Sequence, residues 1–327
     1  MVVNEIKKKK TPKHLAINDI HHGRSEDLMR QIEPDSVALS FWSPPYFVGK
    51  DYEQEETFES WQSSLRDVIA RHTFVLKPGG FMVINIADIL CFEDEQIPRF
   101  QALNIANQKS KVTKEMVLAA KAAHPEYNRY QLAALLGCSE QTIDRRLNGN
   151  NIRGGKHQIQ TRVKLIGGHL EKYAYDNGLY LYDHRVWLKD PTWANSKWTV
   201  NSLKAVSEHE DLYIFWKPGQ QVIDRTKLSS EEWRTWGSRA IWHLRSVRAN
   251  DIHEAMFPLE LAARVVRLYS DKGDVILDPF MGSGTTAIAA LMHGRNYIGI
   301  DKEKKYVELA KQKIATHQKQ ATLDLES

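Results

Sequence analysis

Residues 274 to 301 read Asp274-Val275-Ile276-Leu277-Asp278-Pro279-Phe280-Met281-Gly282-Ser283-Gly284-Thr285-Thr286, an apolar stretch to His293, and then Asn296-Tyr297-Ile298-Gly299-Ile300-Asp301. The spacing predicts a strand, a glycine-bearing turn, a helix over 286–293, and a second strand ending on an acid. Glycines let backbone approach a ligand closely, and a carboxylate at the tip of the next strand suits a ribose diol. A P-loop would need Gly-Lys-Ser/Thr, and no lysine follows Gly284. A dinucleotide fingerprint is met only in the form ending in alanine, at Ala287, and Asp278 would sit awkwardly beside a pyrophosphate. A carboxylate there better suits a cationic ligand such as the amino group of a methionine moiety.

Working outward, the apolar run Ser36 to Trp42 predicts a buried strand that leaves the sheet at Ser43-Pro44-Pro45-Tyr46. Two prolines remove two backbone donors and fix two φ angles, and the residue before a proline is held extended. The result is a stiff exit presenting a hydroxyl, carbonyls and an aromatic face. Such a loop could hold a flat polar substrate such as a nucleobase; taken alone it is an ordinary strand exit. Ser25 to Ile32 predicts a helix with Ser25 as N-cap, and Trp61 to Leu76 a helix ended by Pro78-Gly79-Gly80. Phe81 to Ala87 is a further buried strand. Alternating strands and helices predict an α/β domain with a mostly parallel sheet.

The pattern breaks at Gln108. Between Lys109 and Lys172 there are 12 Lys+Arg and 5 Asp+Glu, a net +7; the chain as a whole carries +4, so the remainder is −3. Excess positive charge in one segment is a footprint of nucleic-acid contact, or else a solvated basic face. Helices are expected over 113–123, 129–136 and 139–147, with Ala133, Gly137 and Ile143 where a helix-turn-helix needs a small, a left-handed and a core residue. Its second helix would expose Glu140, Gln141, Thr142, Arg145 and Arg146, and Gln and Arg make bidentate contacts to base edges. Arg153 and Lys156, in the turn-rich stretch that follows, extend this candidate DNA-binding set. Strands resume at Leu179–Leu188 and Leu212–Trp216. Trp233, Trp236 and Trp242 alternate with arginines over 229–248, which suits either base and phosphate contact or a satellite core.

Asp278-Pro279-Phe280-x-Gly282-Ser283-Gly284-Thr285, together with Ser43-Pro44-Pro45-Tyr46, resembles the amino-methylating DNA methyltransferases that use S-adenosylmethionine. The resemblance spans the chain except the inserted helices, and the order of the two motifs is that of the permuted beta class. It implies a Rossmann-like class I methyltransferase fold, α/β, with a mostly parallel seven-stranded sheet, circularly permuted, plus a small all-α helix-turn-helix insertion. It divides the chain into a first catalytic part (1–108), the inserted module (109–164) and a second catalytic part (165–327), with 190–250 as target-recognition segment. The implied cofactor set is Asp278, Pro279, Phe280, Gly282, Ser283, Gly284 and Thr285, Asp301 on the ribose, and Phe257 and Pro258 beside the methionine end. Ser43 and the Pro44 carbonyl would accept hydrogen bonds from the target amine, Pro45 stiffens the loop, and Tyr46 would stack on the flipped base. One departure stands out: Gly23-Arg24 occupies the place where family members often carry Gly-Asp.

The implied activity is transfer of a methyl group to N4 of cytosine in duplex DNA, within a restriction-modification system. Carbon-5 methylation needs a Pro-Cys nucleophile that the chain lacks. Ser43 resembles the N4-cytosine enzymes more than the N6-adenine ones, which remain the alternative. A helix-turn-helix regulator with an inactive shell, and an RNA methyltransferase, are the readings from other classes. Double-stranded DNA is the expected partner, with a cognate restriction endonuclease as a second, and the protein would act as monomer or homodimer. Hydrophobic content of 42% with 26% charged residues is that of a soluble globular protein, and no apolar run nears the ~20 residues of a membrane helix. The basic N-terminus is not followed by the apolar stretch of a signal peptide. Cys91 and Cys138 are the two cysteines, neither at metal-ligand spacing. A cytoplasmic protein without a metal is the expectation.

Overall fold

The computed structural model describes residues 14–45, 57–92, 111–148, 162–191, 205–247 and 257–326. In chain order these form β1 (Asp19–His22), α1 (Ser25–Leu28), β2 (Val37–Trp42), α2 (Phe58–Val75), β3 (Leu76–Ile86), β4 (Ile89–Phe92) and α3 (Lys114–Ala123). Next come α4 (Arg129–Leu135), α5 (Glu140–Asn148), β5 (Arg162–Lys164), α6 (Gly167–Asp176), β6 (Tyr180–Leu188) and β7 (His209–Trp216). The chain closes with α7 (Ser230–Glu232), β8 (Ile241–His243), α8 (Leu259–Tyr269), β9 (Val275–Asp278), α9 (Thr285–Met292), β10 (Asn296–Asp301) and α10 (Lys304–Glu326). No helix among the described residues is long and apolar enough to cross a membrane.

The main sheet has the order β1-β10-β9-β2-β3-β7-β6-β8. From β1 to β3 every pairing is parallel; β7 runs antiparallel to both β3 and β6. Eight strands stand where seven were expected, because the three-residue β8 adds an edge beside β6. β2 lies in the middle with all six residues buried, which is why its sequence is a continuous apolar run and not an alternating one. Leu39 and Phe41 join one core cluster with Leu261, Val265, Ala287 and Ala310 of α8, α9 and α10. Ser40 and Trp42 face the other way, toward His72 of α2. The sheet is therefore covered by helices on both faces.

The topology positions the site. From β9 the chain crosses through α9 to β10, toward one edge; from β2 it crosses through α2 to β3, toward the other. β9 and β2 are neighbours, so the direction of winding reverses between them. Ligand crevices in open α/β sheets form outside the carboxyl ends of strands at such a reversal.

Two local expectations are corrected. Ser25 does not cap α1: the N-cap is Arg24, whose side chain makes no capping bond and pairs with Glu26 instead, and Ser25 is buried. Pro78-Gly79-Gly80 does not end α2 as a free turn but lies inside β3. Pairing with β2 jumps there from Val37 opposite Leu76 to Leu39 opposite Phe81. Gly79 takes φ +84° in this bulge, its N–H donating to the Lys217 carbonyl at 3.0 Å.

Contacts along the chain divide it into two compact units, one built from 1–90, 163–191 and 208–327, the other from 91–162 and 192–207. In the second unit, α3, α4 and α5 pack around Val112, Val117, Leu132, Ala133 and Ile143. Thr113 caps α3, and Asn128 with Gln131 forms a reciprocal capping box on α4. Gly137 has φ +62° in the turn between α4 and α5. Ala133, Gly137 and Ile143 thus occupy the close-packed, left-handed and core positions read from the sequence.

Candidate active site

The loop after β9 is organised around Asp278. One carboxylate oxygen accepts the Phe280 N–H at 2.9 Å, and the other accepts the Thr286 hydroxyl at 2.6 Å. That hydroxyl also reaches the Phe41 carbonyl of β2 at 3.5 Å, so one side chain ties the loop to the neighbouring strand. Asp278 is 2% exposed, and burial pushes its carboxyl up to about 7; the Thr286 and Phe280 donors oppose the rise and the nearby Asp301 charge adds to it.

Two glycines let the loop turn back. Gly282 has φ +51° and Gly284 φ +90°, the latter at the N-cap of α9. A β-carbon on Gly284 would lie 3.1 Å from that of Ala310. Gly299 of β10 is needed for space: a side chain there would run into Met281 at 2.6 Å. Asp301, at the tip of β10, accepts the Gly282 N–H at 2.9 Å and the Glu303 N–H at 2.8 Å. Burial raises its carboxyl as well. The Ser25 hydroxyl donates to the Pro279 carbonyl, and Gly23 N–H donates to the Asp301 carbonyl at 3.0 Å, so the start of the chain braces the loop from outside.

Ser43 follows the last residue of β2. Ser40 is opposite Leu277 in the β2–β9 ladder, so Asp278 is level with Phe41 and Ser43 lies two residues further along the same edge. The Pro45 carbonyl accepts the Trp61 indole N–H of α2 at 2.7 Å, which fixes the proline loop against that helix. Behind it, His72 Nδ1 donates to the Val68 carbonyl and Nε2 accepts from Ser40, each at 2.8 Å. A carbonyl can only accept, so the tautomer follows; burial lowers the imidazole to about 4 and keeps it neutral. The Trp42 ring stacks on His72 at 5.8 Å and meets Phe280 of the glycine loop at 5.3 Å. Phe257 packs on Phe41 at 4.8 Å, and Pro258 is the N-cap of α8.

The carboxyl ends of β2, β9 and β10 therefore gather Ser43, Pro44, Pro45, Asp278 through Thr285 and Asp301 on one edge of the sheet. Tyr46, Arg153 and Lys156 lie outside the described residues. In α5, Gln141 and Arg145 are exposed one turn apart, whereas Thr142 bonds to the Ser139 hydroxyl at 3.0 Å. Arg146 is half-buried with Nε donating to the Val112 carbonyl at 2.9 Å, so it braces the three-helix unit. In the 190–250 segment, Trp236 and Trp242 are core residues, edge to face at 6.1 Å, with Arg264 and Arg267 over their rings. The satellite-core reading holds for those two. Sequence reasoning passed over Ser25, Thr286 and His72 as site residues. Thr286 alone carried a signal, as the second threonine directly after the glycine motif.

The family model N6_N4_Mtase, described as DNA methylase, matches residues 37–312. The type II methyltransferase M.BglI of Bacillus subtilis is 58% identical over 303 residues, which is 93% of this chain and 87% of that protein. A crystal structure of a Thermus thermophilus protein complexed with S-adenosyl-L-methionine is 24% identical, covers 92% of this chain and 94% of that one, and has a TM-score of 0.57. The cytosine-N4-specific PvuII DNA methyltransferase is 15% identical, with coverages of 95% and 94% and a TM-score of 0.56. These two structures share the fold. With the family model spanning most of the chain and the Bacillus subtilis relative aligned almost end to end, this protein belongs to the N6_N4_Mtase family of DNA methylases.

Proposed function

We propose that the protein transfers a methyl group from S-adenosylmethionine to the N4 amino group of cytosine in duplex DNA, as the methyltransferase of a type II restriction-modification pair. The observation that carries this reading is the adjacency of β9 and β2 at the winding reversal, which brings the Asp278 loop and Ser43 to one edge. The donor set there fits the cofactor. Two buried carboxylates, with no lysine in the loop from Asp278 to Thr286, suit a cationic methionine moiety and a ribose diol and disfavour a polyphosphate. Each oxygen of Asp278 and Asp301 already holds one loop donor and keeps a further acceptor site. Gly282 to Thr285 and Asp301 hold the cofactor, Asp278 shapes the loop, and Phe257 borders the methionine end. Bound S-adenosylmethionine supplies an electrophilic methyl group.

The chain's own residues prepare the nucleophile. An exocyclic amine is weakly nucleophilic because its lone pair is delocalised into the ring. Ser43 and the Pro44 carbonyl accept its two N–H groups, favour a pyramidal nitrogen and aim the lone pair at the methyl carbon. The prolines and the Trp61–Pro45 bond keep those acceptors still. The base must be flipped out of the duplex to reach them. Gln141 and Arg145 of α5, with Arg153 and Lys156, contact DNA through the helix-turn-helix. The type II assignment is supported by the resemblance to the type II methyltransferase M.BglI, and a cognate endonuclease is proposed with it.

The test is label transfer from methyl-labelled cofactor to duplex DNA and to RNA, run beside a cofactor titration without nucleic acid. Label in duplex DNA alone is expected. Cofactor binding with no transfer would favour a regulator, and label in RNA alone would overturn the substrate.

A further inference from the structure

Asn85 lies on β3, the strand bonded alongside β2 with Ile84 opposite Trp42. One step further along, Asn85 comes level with Ser43, and neighbouring strands are only about 4.8 Å apart. Phe81 and Val83 of β3 share a core cluster with Leu39 and Phe41 of β2, so alternation carries Asn85 on the Phe41 face. That is the face on which Phe257 packs.

The side chain is 1% exposed. Its Nδ2 donates to the Asp211 carbonyl of β7 at 3.3 Å, and since a carbonyl can only accept, this bond fixes the amide orientation. Oδ1 is thereby turned away from β7. It is buried and accepts no hydrogen bond among the described residues. Trp42 Nε1, Arg71 Nε and His293 Nε2 are in the same state. Of these, the Trp42 indole lies in the His72–Phe280 ring stack, and His293 follows α9 at its far end from the loop. Trp42 and Arg71 present N–H donors and His293 lies away from the loop, so Asn85 is the acceptor of this group that stands beside Ser43. A buried acceptor left unsatisfied is disfavoured until a donor arrives.

We propose that Asn85 is a substrate-contacting residue whose Oδ1 shares with Ser43, in a three-centre hydrogen bond, one N–H of the flipped base's amino group, the Pro44 carbonyl taking the other. This rests on the amine-methylation reading above. A serine hydroxyl can turn to donate or accept, whereas an amide oxygen held by its own nitrogen is a fixed acceptor. The pairing compensates for the short reach of Ser43.

The full-length protein and Asn85→Ala are compared on a duplex carrying the target mapped from wild-type methylation. The same duplex with an abasic target position serves as the control. The variant is expected to lose about tenfold in kcat/KM and about fivefold in affinity for the intact duplex, the effect of one hydrogen bond. Its cofactor affinity, and its affinity for the abasic duplex, should match wild type. Equal losses on both duplexes, a fall in cofactor affinity, or no loss would overturn the assignment. Should Asn85→Ala fail to fold, Asn85→Ser goes through the same cycle with the same criteria. A wild-type protein that methylates no DNA amine sinks the reading and this inference together; a working wild type with an indifferent variant sinks the inference alone.

Discussion

Asp278 was legible as an acid opening a glycine loop, and the structure adds what surrounds it. Thr286 and Phe280 occupy both oxygens, and burial lifts the carboxyl from 3.8 to about 7. A folded-state value above the unfolded one means the protonated form is favoured by folding. The stabilisation is complete below about pH 4 and lost as pH rises through about 7. Asp278→Asn removes that dependence, so its melting temperature should gain on wild type between pH 5 and 8 in scanning calorimetry. Parallel curves would contradict it. On the proposed reading Ser43→Ala removes an acceptor of the target amine, so kcat/KM on DNA should fall on the order of a hundredfold with cofactor affinity unchanged. Steady-state kinetics beside a cofactor titration would check this. Ser25 was misread as a helix cap because serine before an acidic turn is the usual cap signal; nothing local reveals a carbonyl 254 positions away.

Elements were read more securely than their junctions. β2, β9, β10 and the three helices of the inserted unit follow from apolar runs and caps, since each buries a face that the sequence must supply locally. Pro78-Gly79-Gly80 was not, because a bulge within β3 depends on pairing with β2 and on Lys217. The glycine loop is the element with the least tolerance. Gly284→Ala places a side chain at φ +90° and 3.1 Å from the Ala310 β-carbon, which should cost about 1–3 kcal/mol and loosen the start of α9. A lower melting temperature and weaker cofactor binding are the readouts. In α5 the two arginines separate. Arg145→Ala should weaken DNA binding and lessen its salt slope by about one without changing stability. Arg146→Ala should instead speed amide exchange across 114–148, because the Val112 carbonyl loses its donor.

At the scale of the whole molecule, the order of motifs carried the topology: the proline loop precedes the cofactor loop, yet the two strands end up side by side. The adjacency of β9 and β2 could not be derived from either stretch alone, because it is a property of the winding and not of any segment. The tryptophan-rich 229–248 segment was ambiguous for a related reason: aromatic residues beside arginines read alike in a core and on a nucleic-acid surface, and only packing against α8 separates the two. Charge was partitioned in the sequence, +7 within 109–172 against −3 elsewhere. The central claim, that an amine of cytosine in DNA is the methyl acceptor, is tested most directly by mass analysis of nucleosides from duplex DNA treated with the purified protein and S-adenosylmethionine. N4-methylcytosine is the predicted product; N6-methyladenine, or unmodified nucleosides throughout, would contradict it.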